Sequence, residues 1–415
     1  MAGFASGSVN PARLWQRHVD LARLGLTPLG GVRRLALTDL DNQARADLVA
    51  WANRLGFSSF LDPVGNLFLR REGSDPTLPP VMSGSHTDTQ PSGGRFDGAY
   101  GVLAACEALE AIEEAGIVTR RAIEAVVWTC EEGGARFPMG VMGSSAFIGA
   151  KPLDEVLACL DDDGVSVGQA LEATRRALPT VVARPLGVPV HAFIEAHIEQ
   201  GPILEDLGKT IGVVTNIQGS RRWVITVTGE DAHAGTTNRA RRKDALQAAT
   251  RMVQALDQHF YDPADVVRFT VGRFRVKPDA MAVVPGHAEF TIDFRHPEME
   301  ALNWLGDQVA AICEGEAGPC AVHVHQTSIV APTPFTAVVP DLVERAAHRL
   351  ALPNMRMISG AGHDAMMLAR VCPTGMIFVP CERGLSHNEA ENASPSDLAA
   401  GARVLADVLV DLANQ

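Results

Sequence analysis

Five short segments carry side chains able to do chemistry. Ser85-His86-Thr87-Asp88-Thr89 sets an imidazole two residues from a carboxylate. Asp97 follows eleven positions after His86, inside Gly93-Gly94-Arg95-Phe96-Asp97-Gly98-Ala99. Cys130-Glu131-Glu132-Gly133-Gly134 places two carboxylates side by side. Glu195-Ala196-His197-Ile198-Glu199-Gln200-Gly201 and Gly384-Leu385-Ser386-His387-Asn388-Glu389 add two further histidines. Taken singly, each has a plain structural reading. His86, His197 and His387 read as histidines with structural roles, Asp97 as a helix N-cap, and Glu131–Glu132 as a solvated loop pair.

Taken together they read differently. Three imidazoles and two carboxylates (His86, Asp97, Glu132, His197, His387) fit a site for two divalent ions with Asp97 between them. Imidazole and carboxylate accept Zn, Mn, Co or Ni, so the donor set does not select one metal. Such a pair shares a water whose pKa falls far enough to supply hydroxide near neutral pH. Adjacent side chains diverge, so Glu132 can bind metal while Glu131 acts as general base on that water. Asp88 suits an acceptor for the His86 N–H, holding the ring in place.

Stepping outward, the elements predicted around these residues put them at strand ends. Residues 80–84 read as a strand running into a glycine-rich loop, and 122–129 and 190–196 as buried strands. Helical patterns occupy 10–25, 42–55, 98–115 and 167–178; Val102, Cys106, Leu109 and Ile112 form one face of the third, and Gly116 stops it. Strands alternating with helices predict an α/β layer with a mostly parallel sheet, whose ligands gather at the strands' carboxyl ends. The middle of the chain reads otherwise. Strand 222–228, helix 240–260, strands 266–275 and 288–295, helix 298–314 and strand 321–327 give the order βαββαβ of a ferredoxin-like α+β unit. A helix near 338–351, strand 374–379 and a last helix at 396–412 return to α/β character. The predicted layout is 1–216 and 332–415 as one domain, interrupted by an insert at 217–331.

The segments GSHTDTQPSGGRFDGAYGV, TCEEGGARF, EAHIEQGPILE, GEDAHAGTT, SGAGHDA and MIFVPCERGLSHNEAE stand in this order along the chain. They resemble the amidase/carbamoylase branch of the M20 metallopeptidase superfamily, from about residue 12 to 412. That branch contains N-carbamoyl-L-amino acid hydrolases, allantoate and ureidoglycolate amidohydrolases and β-ureidopropionases. The resemblance implies a catalytic domain interrupted by a lid and dimerisation domain, hence a homodimer. It implies metal ligands His86, Asp97 (bridging), Glu132, His197 and His387, two divalent ions per subunit, and Glu131 as general base. It implies that His233, in DAHAG, reaches the partner subunit's active site and holds the scissile carbonyl oxygen. Arg295, and more loosely Arg221, match substrate-carboxylate positions, with Gln200 and the backbone of Gly360 as further substrate contacts. The expected activity is hydrolysis of a linear amide or ureido C–N bond in a small carboxylate, the alternative being an exopeptidase or N-acyl-amino-acid deacylase. One departure stands out. Where the family reads Pro-Asn-Ala-x-Asn-Val-Ile-Pro, this chain reads Pro278-Asp279-Ala280-Met281-Ala282-Val283-Val284-Pro285, so an amide that contacts substrate is replaced by Ala282.

Composition bounds the rest. A chain of 415 residues, 46% of them hydrophobic, can build two or three domains of about 150 residues. Lys+Arg 36 against Asp+Glu 49 leaves a net charge of −13, which disfavours nucleic acid as a partner. No apolar run approaches the roughly 18 residues of a membrane span. Seven cysteines without a CxxC pair read as reduced, buried thiols, and with no secretion signal the expected location is the cytoplasm.

Overall fold

Four short segments become the strands at the centre of the fold. In the computed structural model, which describes residues 4–415, Val81–His86, Ile123–Trp128, Ala192–Ile198 and Thr374–Val379 are buried along their whole length. Burial on both faces is the environment of a parallel sheet covered by helices, and explains runs of apolar residues without alternation. The spatial order is Ile123–Trp128, Val81–His86, Ala192–Ile198, Thr374–Val379, all parallel. Register pairs His86 with Trp128 and His197 with Phe378. One edge of the sheet therefore collects every strand's carboxyl end, and with it each chemically active loop.

The sheet is parallel only at this centre. Leu67–Arg71 adds antiparallel to Ile123–Trp128, and Ser58–Leu61 antiparallel to that. On the other side Ile211–Ile217 runs antiparallel to Thr374–Val379. The helix Ala99–Glu114 was expected to bury one face. It buries everything from Ala99 to Leu109, because it lies between the sheet, Pro11–Ala22 and Pro395–Ala413. Its one deep charge, Glu107, is met by Arg13 at 2.7 Å and Arg17 at 2.9 Å. Gly116, at φ 63°, ends the helix in the left-handed region that glycine enters without strain.

Contacts divide the chain into two units, one running to Thr215 and resuming at Phe335, the other Asn216–Pro334. The smaller unit is a four-stranded antiparallel sheet in the order Arg268–Lys277, His287–His296, Gly219–Thr228, Ala321–Val330. With helices after the first and third strands in sequence, this is the 4-1-3-2 arrangement of a ferredoxin-like unit. Trp223, Ile225, Val227, Phe290, Ile292 and Phe294 alternate onto one face and pack with Met252, Leu256, Phe260 and Leu302 of the helices. The helix expected at 298–314 is two, Met299–Gly306 and Val309–Glu316. The break coincides with Arg221. Its guanidinium donates to the Asn303 carbonyl at 3.2 Å and pairs with Asp307 at 2.8 Å, where the first helix ends.

Candidate metal centre

His86 is the last residue of its strand, and its Nδ1 lies 2.8 Å from the Asp88 carbonyl oxygen. Nδ1 therefore carries the proton, leaving the Nε2 lone pair to face inward. His197 repeats the arrangement: Nδ1 donates to the Ile198 carbonyl at 2.8 Å, and Nε2 accepts from the Gly98 amide at 3.2 Å. In both rings Nδ1 is committed to a main-chain carbonyl, so Nε2 is the nitrogen left to face a metal. The acceptor for His86 is the main chain of Asp88, not its carboxylate, which is 3.8 Å away. The carboxylate has other work: it accepts the Glu131 and Glu132 amides at 3.4 and 3.1 Å and so aims both glutamates.

Asp97 does not cap the helix that follows. The N-cap is Gly98, and the Asp97 carboxylate turns inward. Its Oδ1 is 3.2 Å from His197 Nε2 and its Oδ2 3.1 Å from His387 Nε2. Gly98 permits this approach, since a Cβ there would stand 2.3 Å from the His86 ring. Glu132 Oε1 lies 3.6 Å from His387 Nε2, while Gln90 donates to Oε2 at 2.7 Å. Three ligand groups result among the described residues, each with donor atoms within 4.8 Å of one another: His86–Asp97–His197 and Asp97–Glu132–His387, which share Asp97, and Glu195–His197–His363. Glu131 belongs to none of them; its Oε2 sits 3.6 Å from His86 Nε2.

The electrostatics favour a cation. Burial alone would lower the His86 pKa, yet Glu131, Asp88, Asp97 and Glu132 outweigh it and push it well above the usual value. Glu132 is pushed up to about 7 by burial and by Asp97, and Glu131 well above the carboxylate range by burial and by Glu132, Asp364 and Asp88. His387 rises to about 9, chiefly through its hydrogen bond to Asp97. Asp97 goes the other way: against burial, its hydrogen bonds to His197 and His387 hold it well below the carboxylate range, so negative charge is crowded at the site, the state that divalent ions relieve. Glu132 Oε1 is buried and makes no hydrogen bond, as a carboxylate oxygen awaiting a metal would. The donor set therefore fits divalent ions. Backbone strain gathers here too: Cys130, Gln200 and His387 adopt φ of 53°, 58° and 53°, conformations that cost non-glycine residues about 1–3 kcal/mol each.

Several residues at the site had no role in the sequence reading. His363 packs edge-on to His197 at 4.5 Å between ring centres, with Nε2 3.0 Å from Ser359 Oγ. Burial and the nearby imidazoles hold it well below its usual pKa, hence neutral. Glu195 accepts from Ser85 Oγ at 2.7 Å and from the Ala365 amide at 3.0 Å. Its signal was its spacing: two residues before His197 on a strand, it shares that residue's face. Ser386 and Glu391 flank His387, within the same loop.

The remaining expected residues meet different fates. Gln200 Nε2 donates to Asp97 Oδ2 and Ser386 Oγ, both at 3.1 Å, so its donors steer the shared carboxylate and only Oε1, buried and unpaired, is left for a substrate. Gly360 lies in the exposed loop after Asn354–Ser359, three residues before His363. His233, Arg295 and Arg221 belong to the smaller unit. His233 Nδ1 accepts the Gly235 and Thr236 amides at 3.0 and 3.2 Å, which leaves Nε2–H as an exposed donor. Arg295 alternates with the buried Phe294 onto the open face of the sheet, where Nε donates to Asp293 at 3.1 Å. Arg221 is 7% exposed, lies over Trp223 on the helix-covered face, and donates through Nη1 and Nη2 to Asp307, Asn303 and Gln326. Its neighbour Arg222 shares the open face with Arg295 and pairs with Asp293.

The geometry can be set beside known proteins. Residues 82–411 match the family described as peptidase family M20/M25/M40. An N-carbamoyl-L-amino-acid amidohydrolase of Rhizobium meliloti is 38% identical over 410 residues, covering 98% of this chain and 97% of the relative. An allantoate amidohydrolase of Bacillus subtilis is 36% identical over 400 residues, 95% of each chain. Among solved structures, an amidase of the hydantoinase/carbamoylase family from Burkholderia multivorans superposes with a TM-score of 0.91 at 43% identity, covering 98% of both chains.

Proposed function

The chain belongs to the M20/M25/M40 peptidase family, and from that premise we propose that it is a metal-dependent amidohydrolase cleaving the C–N bond of a small ureido or amide carboxylate. One observation carries the reading: two ligand groups share Asp97, while Glu131, a part-buried carboxylate uncommitted to either, stands beside them. His86 and His197 would hold one ion with Asp97, and Glu132 and His387 the other. Divalent ions held there would supply a water of lowered pKa and Lewis-acid chemistry at the scissile carbonyl.

The chain's own residues do the rest. Glu131 takes the proton of the attacking water and passes it to the leaving nitrogen as the C–N bond breaks. Asp88 holds the two glutamates to their separate tasks through their amides. His233 donates its Nε2–H to the substrate carbonyl oxygen as negative charge develops, a contact worth about 10²–10³ in rate in comparable sites. It does so in the partner's active site, in a homodimer built on the smaller unit. Arg295 binds the substrate carboxylate. Ala282, whose carbonyl accepts the Ala234 amide at 2.9 Å, lies beside His233 and offers only a methyl there.

The test is a substrate panel on enzyme stripped of metal and reloaded with Mn, Co, Ni or Zn. N-carbamoyl-L-amino acids, allantoate, a β-ureido acid, N-acyl amino acids and dipeptides are scored for ammonia and for amine release. Turnover of ureido acids that depends on added metal is expected. Turnover confined to dipeptides or N-acyl amino acids would overturn the assignment in favour of an exopeptidase or deacylase.

A further inference from the structure

Asp97 must present its two carboxylate oxygens in two directions at once, 3.2 Å from His197 and 3.1 Å from His387. A small rotation of its backbone would spoil both contacts. Yet it stands in the loop Gly93-Gly94-Arg95-Phe96-Asp97-Gly98, whose three glycines give it little conformational preference of its own. Something else fixes the loop. Glu391 is 1% exposed, and its Oε1 accepts two successive amides, Phe96 at 2.9 Å and Asp97 at 3.0 Å. Its Oε2 accepts the Ser386 hydroxyl at 2.9 Å. Gly94 is pressed so close that a Cβ there would lie 2.0 Å from Glu391 Oε1. Arg95 Nη2 also reaches the next residue, Asn392, at 3.2 Å.

We infer that Glu391 is a positioning residue of the metal centre, holding the loop of Asp97 and the loop of His387 in register with one buried carboxylate. The two loops come from chain segments nearly 300 residues apart, and Ser386, gripped by Glu391, is the neighbour of His387. Two amides of one loop and a hydroxyl of the other meet on a single side chain, so its position fixes both loops together. The inference rests on the metal reading of the site and goes beyond it, because Glu391 touches neither donor group directly.

Metal affinity of the full-length apoprotein tests it, by Mn²⁺ titration against a competing chelator, with thermal unfolding and kcat and KM alongside. Wild type is expected to bind two ions per chain. Glu391→Ala should lose at least tenfold in affinity at one or both sites, and at saturating Mn²⁺ should lower kcat more than it raises KM. Glu391→Gln keeps the oxygen that accepts both amides, so it should return to within a few-fold of wild type. A purely structural role would lower the unfolding temperature and leave affinity unchanged, and that result overturns the inference. Should Glu391→Ala fail to fold, Glu391→Asp decides. It keeps the charge but is one methylene too short to reach both loops, so tenfold weaker binding supports the inference and wild-type binding overturns it. If wild type itself binds no Mn²⁺, the metal reading fails, and this inference with it. If wild type binds two ions and the variants do so equally well, only the role of Glu391 fails.

Discussion

Single side chains here are set by what surrounds them. Glu131 and Glu132 are chemically identical neighbours, but Asp88 grips both amides and sends one toward His86 and the other toward His387. Glu131→Gln should leave metal content unchanged, since Glu131 is in none of the ligand groups, and lower turnover by about 10²–10⁴. Elemental analysis and initial rates on one preparation check both halves; near-normal turnover would remove Glu131 as the base. His18 makes a different prediction. It is fully buried between Phe96 and Tyr100, neither ring nitrogen has a partner, and burial, with a smaller push from Arg95, lowers its pKa to about 3. The unfolded chain therefore takes up a proton near pH 6.5 that the folded chain refuses. His18's contribution to stability is whole above pH 6.5 and lost as pH falls toward 3, at about 1.4 kcal/mol per unit. Urea melts between pH 7 and 4.5 should show this slope, and His18→Phe should flatten it by about one proton's worth.

Elements decide which of two like residues faces where. Arg221 and Arg222 are adjacent, but strand alternation sends the first under the helices and the second onto the open face with Arg295. Two variants should therefore fail differently. Arg221→Ala strips the end of Met299–Gly306 of its guanidinium and leaves Gln326 and Asp307 without their cation, so a loss of about 1–3 kcal/mol in stability is expected with modest change in KM. Arg295→Ala, half-exposed beside Asp293, should leave stability nearly unchanged and raise KM for a carboxylate substrate at least tenfold. Chemical denaturation and Michaelis kinetics on both proteins are the check, and a KM effect confined to Arg221→Ala would reverse the assignment.

At the scale of the molecule, the smaller unit has a core of its own, and the strands that open and close it lie side by side, with Ser220 opposite Val330. Residues 216–334 expressed alone should give a cooperative unfolding transition, whereas a molten product would show that the core needs the rest of the chain. The homodimer makes a second demand. If His233 acts in the partner's site, mixing inactive His233→Ala with inactive Glu131→Gln chains should restore activity in heterodimers, because one of the two sites then has both residues intact. Confirmed subunit exchange with no recovery would place His233 in its own chain's site, or outside catalysis.

The sequence by itself determined the elements and the donors. A run such as Ile123–Trp128, six residues long, β-branched and without helical periodicity, reads as a buried strand, while Phe290, Ile292 and Phe294 against Glu289, Thr291 and Asp293 declare a sheet with one covered face. The βαββαβ order and the five imidazole and carboxylate ligand candidates were legible for the same reason: periodicity and residue type are local properties. What needed the tertiary structure was partnership across the chain. That Asp88 offers its carbonyl to His86 and its carboxylate to the glutamates depends on a turn geometry no spacing encodes. That Arg221 is spent on a helix end depends on which face of the strand the helices cover. Glu391 gains its place only because parallel strands bring residues 96 and 391 to one edge of the sheet, nearly three hundred residues apart in the chain, and hydrogen bonds form between neighbours in space.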